Sequence, residues 1–437
     1  MIDHRASQGL FHRLGAVAGS PQTAGLIDQS IVSASNFTLT WMLARKLSVA
    51  DYGLYVMLIG LILALNSIQS ALIVFPFTVR YAGSDLQLWQ SGVVHCLLVS
   101  LITLPVQLIV VIAGSFYLHH LPLSGIAILT LCLWQTQEIV RQAMFQRQLF
   151  SRAVMGDSVR YLIPALLVVF LPGRLLSAEH VLMFIAGSSA AAFFLCIDTF
   201  LAGNRGGISW HRMKREIRDS WSLGRSIILF NAFGSVLSQG SIWVLGNIRG
   251  LAAVSQYQAI NNILGIPNPA VTGIGVVLNP AVARAASKSG SRAAIRQAVP
   301  YVAVMASLVA PVLGIFVLIP HWTLVRFYGP ASPYSGLVFP LQIATVGQAL
   351  FICSQVAATI LACMNRAAII WRIQLITSVT CLAAMIPAAR WAALPGFLVI
   401  QTVFYGLGMV AMLWNLHTAY KGQPLAVESG QPLIVNA

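Results

Sequence analysis

Gln29, Ser33, Asn36 and Thr40 are spaced four, three and four residues apart in an otherwise apolar run, so on a helix they form one stripe of amide and hydroxyl groups. Asn231, Ser235 and Ser238 repeat the stripe about two hundred residues later. In lipid such groups cannot stay unpaired: each stripe either hydrogen-bonds another helix or faces a water-filled cavity. Two stripes at matched positions favour a shared cavity. Asp28, beside the first stripe, is a candidate proton or cation site, with an aspartate held near a helix start as the alternative. Glu138 with Arg141, and Asp157 with Arg160, have i to i+3 spacing and are expected to form local ion pairs. His95 and the six cysteines fall in apolar runs without metal-ligand spacing and read as packing residues. No G-x-x-x-x-G-K-[ST] occurs and no acid, base or metal cluster sits on a sizeable loop, so no catalytic residue, metal site or cofactor is expected.

The elements that must carry these residues are membrane spans. Of 437 residues 58% are hydrophobic and only 8% charged, against roughly 25% charged in a soluble domain. The excess of 26 Lys and Arg over 11 Asp and Glu lies between the apolar runs, which points to topology and excludes nucleic acid as partner. Apolar runs of spanning length number about twelve, centred roughly at 33, 66, 102, 134, 163, 191, 234, 266, 309, 350, 381 and 406. The expected class is all-α and polytopic, in two parallel six-helix repeats. With both termini cytoplasmic, the inner connections and tails hold about eighteen basic residues and the outer ones about six.

The expected organisation is an amphipathic cytoplasmic lead at 1–20, a six-helix bundle at 21–203, a linker at 204–221, a second bundle at 222–420 and a flexible cytoplasmic tail at 421–437. In "WHRMKREIRDSW" Trp210, Met213, Ile217 and Trp221 recur at helical spacing among cations, the pattern of a helix lying in the membrane interface; a plain basic loop is the alternative. Sliding the second half over the first by 202 residues brings Tyr257 onto Tyr55 and the second stripe onto the first. A two-residue slip then brings Pro280 and Arg284 onto Pro76 and Arg80. Asn261, Gly265, Asn268 and Thr272 share a face of the eighth helix, interrupted by Pro267, Pro269 and Pro280, and broken helices in a duplicated membrane protein point to a transport path.

At "LARKLSVADYGLYVMLIG" the chain resembles the polysaccharide-transport branch of the multidrug/oligosaccharidyl-lipid/polysaccharide (MOP) exporter superfamily, the Wzx-type flippases. The family's basic turn between its first two helices reads here as Arg45, Leu47, Tyr52, Gly53 and Tyr55. The resemblance implies a MATE-like fold in the bacterial inner membrane and passage of an undecaprenyl-diphosphate-linked oligosaccharide to the periplasmic leaflet, for exopolysaccharide, capsule or O-antigen (lipopolysaccharide) synthesis. It implies no covalent chemistry, membrane lipids as surroundings, and a polysaccharide polymerase and chain-length regulator as partners. The second half departs from the pattern: "LGNIRGLAAVSQY" lacks the glycine before Tyr257 and the acid many relatives carry on the seventh helix.

A diphosphate cargo calls for arginines, whose planar fork holds phosphate oxygens bidentately. Arg80 and Arg284 at the two matching cytoplasmic mouths, Arg45 at the opposite side and Arg225 just inside the seventh helix are the candidates; positive-inside anchoring or snorkelling explains each alone. The stripes, with Asn261 and Asn268, would line the cavity. The competing expectation is a cation-coupled multidrug exporter of the same fold, which calls for a buried acid pair and a more apolar cavity.

Overall fold

The computed structural model describes residues 21–81, 83–201 and 210–421; the side chains of 21–24, 26, 201, 210–212 and 225–237 lie outside that description. The lead at 1–20, residues 202–203 at the end of the first bundle, residues 204–209 of the linker and the tail from 422 onward are therefore outside it too. Every regular element among the described residues is helical.

Long apolar runs bounded by turns dictate helices, since in lipid only a helix or a closed barrel satisfies its own backbone. In the order met along the chain these are α1 (Pro21–Lys46), α2 (Val49–Arg80), α3 (Leu86–Tyr117), α4 (Ser124–Gln146), α5 (Phe150–Phe170) and α6 (Ala178–Leu201). A continuous helical stretch from Trp210 to Leu264 turns at Gly250, whose φ of 79° and ψ of 179° no helix accepts, giving α7 (210–249) and α8 (251–264). Gly290, with φ 78°, divides α9 (268–289) from α10 (291–318). After α11 (Pro320–Tyr328) and α12 (Val338–Cys363), the pair Ala392–Ala393 divides α13 (367–391) from α14 (394–421). Eight helical stretches among the described residues are long and apolar enough to cross a membrane, and two of them, Asn268–Leu318 and Ala367–Lys421, are each divided in this way. All twelve expected centres fall on helix except the eighth, at residue 266, which lies at the break between α8 and α9 that Pro267 and Pro269 impose.

The chain forms two compact units, residues 1–262 with 332–334, and 263–331 with 335–437. In the first, α4 packs along α6, and Gln135 of α4 donates to Gln107 of α3 at 2.5 Å, a hydrogen bond that joins two spans. The turn between α1 and α2 is tightly specified. Ser48 caps α2 by accepting from the Asp51 N–H at 3.1 Å, and Lys46 Nζ donates to the carbonyls of Val168, Val169 and Leu171 at 2.9, 2.6 and 2.9 Å, closing the last turn of α5. At Gly53 an added Cβ would lie 2.1 Å from the carbonyl oxygen of Leu251, so α2 and the start of α8 touch backbone to backbone there. Asn262 donates to the fully buried Tyr52 hydroxyl at 2.9 Å.

In the second unit α12 packs along α13, α14 and the α9–α10 stretch. Its outer surface carries exposed Val276, Val304, Ile376 and Val410, as lipid contact requires. Trp322, Trp371 and Trp391 are exposed within a few residues of helix ends or breaks, the position of interfacial anchors.

Two spans of the first unit are irregular in the same way. A π-turn at Ser70–Val74 in α2 ends two residues before Pro76, and another at Ser158–Leu162 in α5 ends two residues before Pro164. Proline cannot donate to the carbonyl four residues back and its ring presses on it; the widened turn relieves both.

Candidate functional site

Within the first unit the structure forms a partly open cavity of about 550 Å³. Gln29, Asn36 and Thr40 of the α1 stripe form one wall, and Asn66 of α2, Gln239 of α7 and Gln258 of α8 add amides. Val32, Leu39, Ile59, Leu63 and Ile242 supply apolar wall between them. Hydroxyls along α1 are largely satisfied locally: Thr40 donates to the Asn36 carbonyl at 2.9 Å, and Ser33 accepts from Gln29 at 3.3 Å. Gly60 makes room for Gln239, whose Oε1 would be 2.6 Å from a Cβ at that position.

The remaining wall is charged. Glu138 and Arg141 of α4 and Arg160 of α5 line the cavity, with Trp134 and Tyr161. Arg141 Nη1 meets Glu138 at 3.2 Å, Nη2 meets Asp28 at 3.2 Å, and Nε donates to Asp157. Arg160 donates to Glu138 at 2.9 Å and to Gln137, lies over the rings of Trp134 and Tyr161 at 4.3 and 5.1 Å, and is 1% exposed. Five ionisable groups from α1, α4 and α5 therefore form one network, with three carboxylates against two guanidiniums. With all five ionised the network carries one uncompensated negative charge, and one oxygen each of the buried Asp28 and Asp157 has no hydrogen-bond partner.

The local ion pair expected of Glu138 and Arg141 forms. That expected of Asp157 and Arg160 does not: Asp157 pairs with Arg141 and Arg160 with Glu138, both across helices. The cause is the π-turn that starts at Ser158, which rotates Arg160 away from the face that i, i+3 spacing assumes.

Ser33 sits next to the cavity wall through Gln29 without lining it. Of the second stripe, Asn231 and Ser235 have side chains outside the described residues, as does Arg225, and Ser238 is exposed while its neighbour Gln239 lines the cavity. Asn261 is half-buried on α8, one turn after Gln258. Asn268 belongs to the second unit, where it accepts from Gln348 at 3.4 Å.

Arg80 and Arg284 differ in surroundings. Arg80 is ion-paired to Glu216 at 2.5 Å and Asp219 at 3.2 Å. Arg284 is exposed and its Nε donates to the Pro280 carbonyl in its own helix at 3.1 Å. Arg45 is exposed over the Trp41 ring at 5.4 Å. Burial and the hydrogen bond to Glu216 hold the Tyr81 phenol above its ordinary pKa, which keeps it a proton donor. Sequence reasoning missed Asn66, Trp134, Arg160, Gln239 and Gln258 as cavity residues; an arginine in an apolar run was the signal available for Arg160.

No protein-family model matches the chain, and no curated protein does. Solved structures do match in fold. An inward-facing multidrug resistance MATE family transporter of the MOP superfamily superposes with a TM-score of 0.70 at 13% identity, covering 93% of this chain and 96% of that one. The lipid II flippase MurJ in an inward closed conformation matches with a TM-score of 0.66 at 10% identity over 90% and 87%. A MOP superfamily transporter from Pyrococcus furiosus, described as having a binding pocket of reversed polarity, matches with a TM-score of 0.56 at 11% identity over 92% and 97%. The chain is an all-helical polytopic membrane protein with the MATE/MOP fold, as the sequence led us to expect.

Proposed function

We propose that the protein flips a lipid-diphosphate-linked oligosaccharide across the bacterial inner membrane by alternating access, without covalent chemistry. The observation that carries this reading is the cavity wall: amides from α1, α2, α7 and α8 stand beside apolar and aromatic surface, which suits the hydroxyl-rich yet amphiphilic face of a glycan. One neighbour of the same fold is named for a lipid-linked cargo. The exposed Arg45 and Arg284, and Arg80 once released from its carboxylates, would guide the diphosphate, with Arg225 as a further candidate, while the prenyl chain stays in the bilayer. The Asp28–Glu138–Asp157 network would take up the driving proton or sodium ion.

The second reading is a cation-coupled multidrug exporter. What favours it is the same acid-rich network and the fold shared with multidrug transporters. Against it, the acids are held by two arginines and the wall is rich in amides.

Proteoliposomes separate the two. Under an imposed proton or sodium gradient the wild-type protein is expected to speed the exposure of a lipid-linked oligosaccharide to an impermeant sugar oxidant, and Asp28→Asn to lose the gradient dependence. Efflux of a cationic dye without glycan exposure would replace the flippase by the exporter.

A further inference from the structure

Arg80, in the last turn of α2, is occupied. Its Nη1 donates to Glu216 Oε2 at 2.5 Å and its Nη2 lies 3.2 Å from Asp219. Tyr81 donates its hydroxyl proton to the other carboxylate oxygen, Glu216 Oε1, at 2.5 Å. Glu216 is 7% exposed and Tyr81 8%. A guanidinium and a hydroxyl that hold two oxygens of one oxyanion are also the donors that hold two oxygens of a phosphate.

The opening stretch of α7, residues 210–224, meets the rest of the first unit at further points. Met213 and Ile217 pack against the core built by Phe77, Tyr81, Trp89 and Phe200. At Gly224 an added Cβ would be 2.7 Å from the Ala71 carbonyl oxygen and 3.1 Å from the Leu72 Cα. Ala71 and Leu72 lie inside the π-turn that precedes Pro76. The stretch thus straps the irregular part of α2 at one end and fills the Arg80–Tyr81 seat at its middle.

We propose that Glu216 is a built-in stand-in for phosphate: residues 210–224 form a strap over the Arg80–Tyr81 seat, and a diphosphate reaching that seat displaces the Glu216 carboxylate and frees the strap from α2. The exchange is electrostatically reasonable. A diphosphate offers more charge and more acceptor oxygens than a carboxylate, and the released Glu216 and Asp219 share their helix with exposed Lys214, Arg215 and Arg218. Only the source of the diphosphate rests on the flippase reading; the seat itself rests on the geometry around Arg80.

The test uses the full chain in phosphatidylcholine nanodiscs, with its six native cysteines replaced by serine or alanine and Ser220→Cys as reporter, since Ser220 is 7% exposed on the strap. Alkylation by an impermeant maleimide is timed alone, with inorganic pyrophosphate, and with a short prenyl diphosphate; Ile217→Cys serves as a second reporter should the first not fold. Both diphosphates should speed alkylation about tenfold, the factor that loss of one charge-assisted hydrogen bond would give. Glu216→Gln should raise the rate without ligand, and Arg80→Lys, which keeps the charge but loses the fork, should abolish the response. Rates unchanged by either diphosphate, an equal response in Arg80→Lys, or acceleration only when phosphatidylglycerol enters the nanodisc would each overturn the proposal. Glycan flipping without acceleration would remove the strap and keep the flippase; acceleration without flipping would keep the seat and remove the lipid-linked cargo.

Discussion

Arg160 is the residue on which the charged wall of the cavity turns. It is buried between two aromatic rings and is one of two cations available to three carboxylates. Taking away one member of a buried ion pair strands the other, so Arg160→Met should destabilise the protein by about 3–5 kcal/mol. Adding Glu138→Gln should recover part of that loss, and thermal unfolding of the single and double variants in detergent measures both. Full recovery by Glu138→Gln would mean that the aromatic cradle contributes nothing. At this scale the sequence was half legible. The Glu138–Arg141 spacing is local and could be read; the Arg141–Asp157 and Arg160–Glu138 pairs depend on which helices are neighbours, which spacing along one helix does not encode. The stripe of α1 rests on period and polarity, which are local to one helix, and Gln29, Asn36 and Thr40 of it line the cavity while Ser33 does not. At the described end of the α7 stripe Gln239, and not Ser238, lines the cavity; the side chains of Asn231 and Ser235 lie outside the described residues.

The helices themselves were legible because apolar runs of spanning length leave the backbone no other choice. The breaks were less so. Gly250 and Gly290 take φ values of 79° and 78° between helices, and nothing in the runs distinguishes them from other glycines. The π-turns of α2 and α5 are prepared by Pro76 and Pro164, yet the response to a proline could equally have been a kink. The family-like turn between α1 and α2 has a packing explanation: Gly53 admits the Leu251 backbone and Tyr52 anchors Asn262. Gly53→Ala should therefore cost about 1–3 kcal/mol from overpacking alone, seen as a lower unfolding temperature and weaker expression. Lys46→Met should leave three carbonyls at the end of α5 without their donor. The expected cost is about 1–3 kcal/mol, partly restored by Lys46→Arg, again read by thermal unfolding.

Across the whole molecule the charges are unevenly shared. Between Ser220 and Lys421 there are eleven Lys and Arg and not one Asp or Glu. The second unit therefore offers no side-chain carboxylate among its described residues, and the buried carboxylates that share one ion-pair network, Asp28, Glu138 and Asp157, all belong to the first. Ion dependence should accordingly be lost on neutralising acids of the first unit, and gradient-driven flipping by Asp157→Asn is expected to fall as it does for Asp28→Asn. We propose that the amide wall of the cavity recognises a glycan. The most direct measurement is equilibrium binding of a lipid-diphosphate oligosaccharide, and of the same lipid diphosphate without sugar, to wild type and to Asn36→Leu/Gln239→Leu/Gln258→Leu in nanodiscs. If each lost amide removes about 1 kcal/mol, the triple variant should bind the glycan lipid roughly a hundredfold more weakly and the sugar-free lipid unchanged. Equal binding of the glycan lipid to both proteins would rule out glycan recognition by this wall.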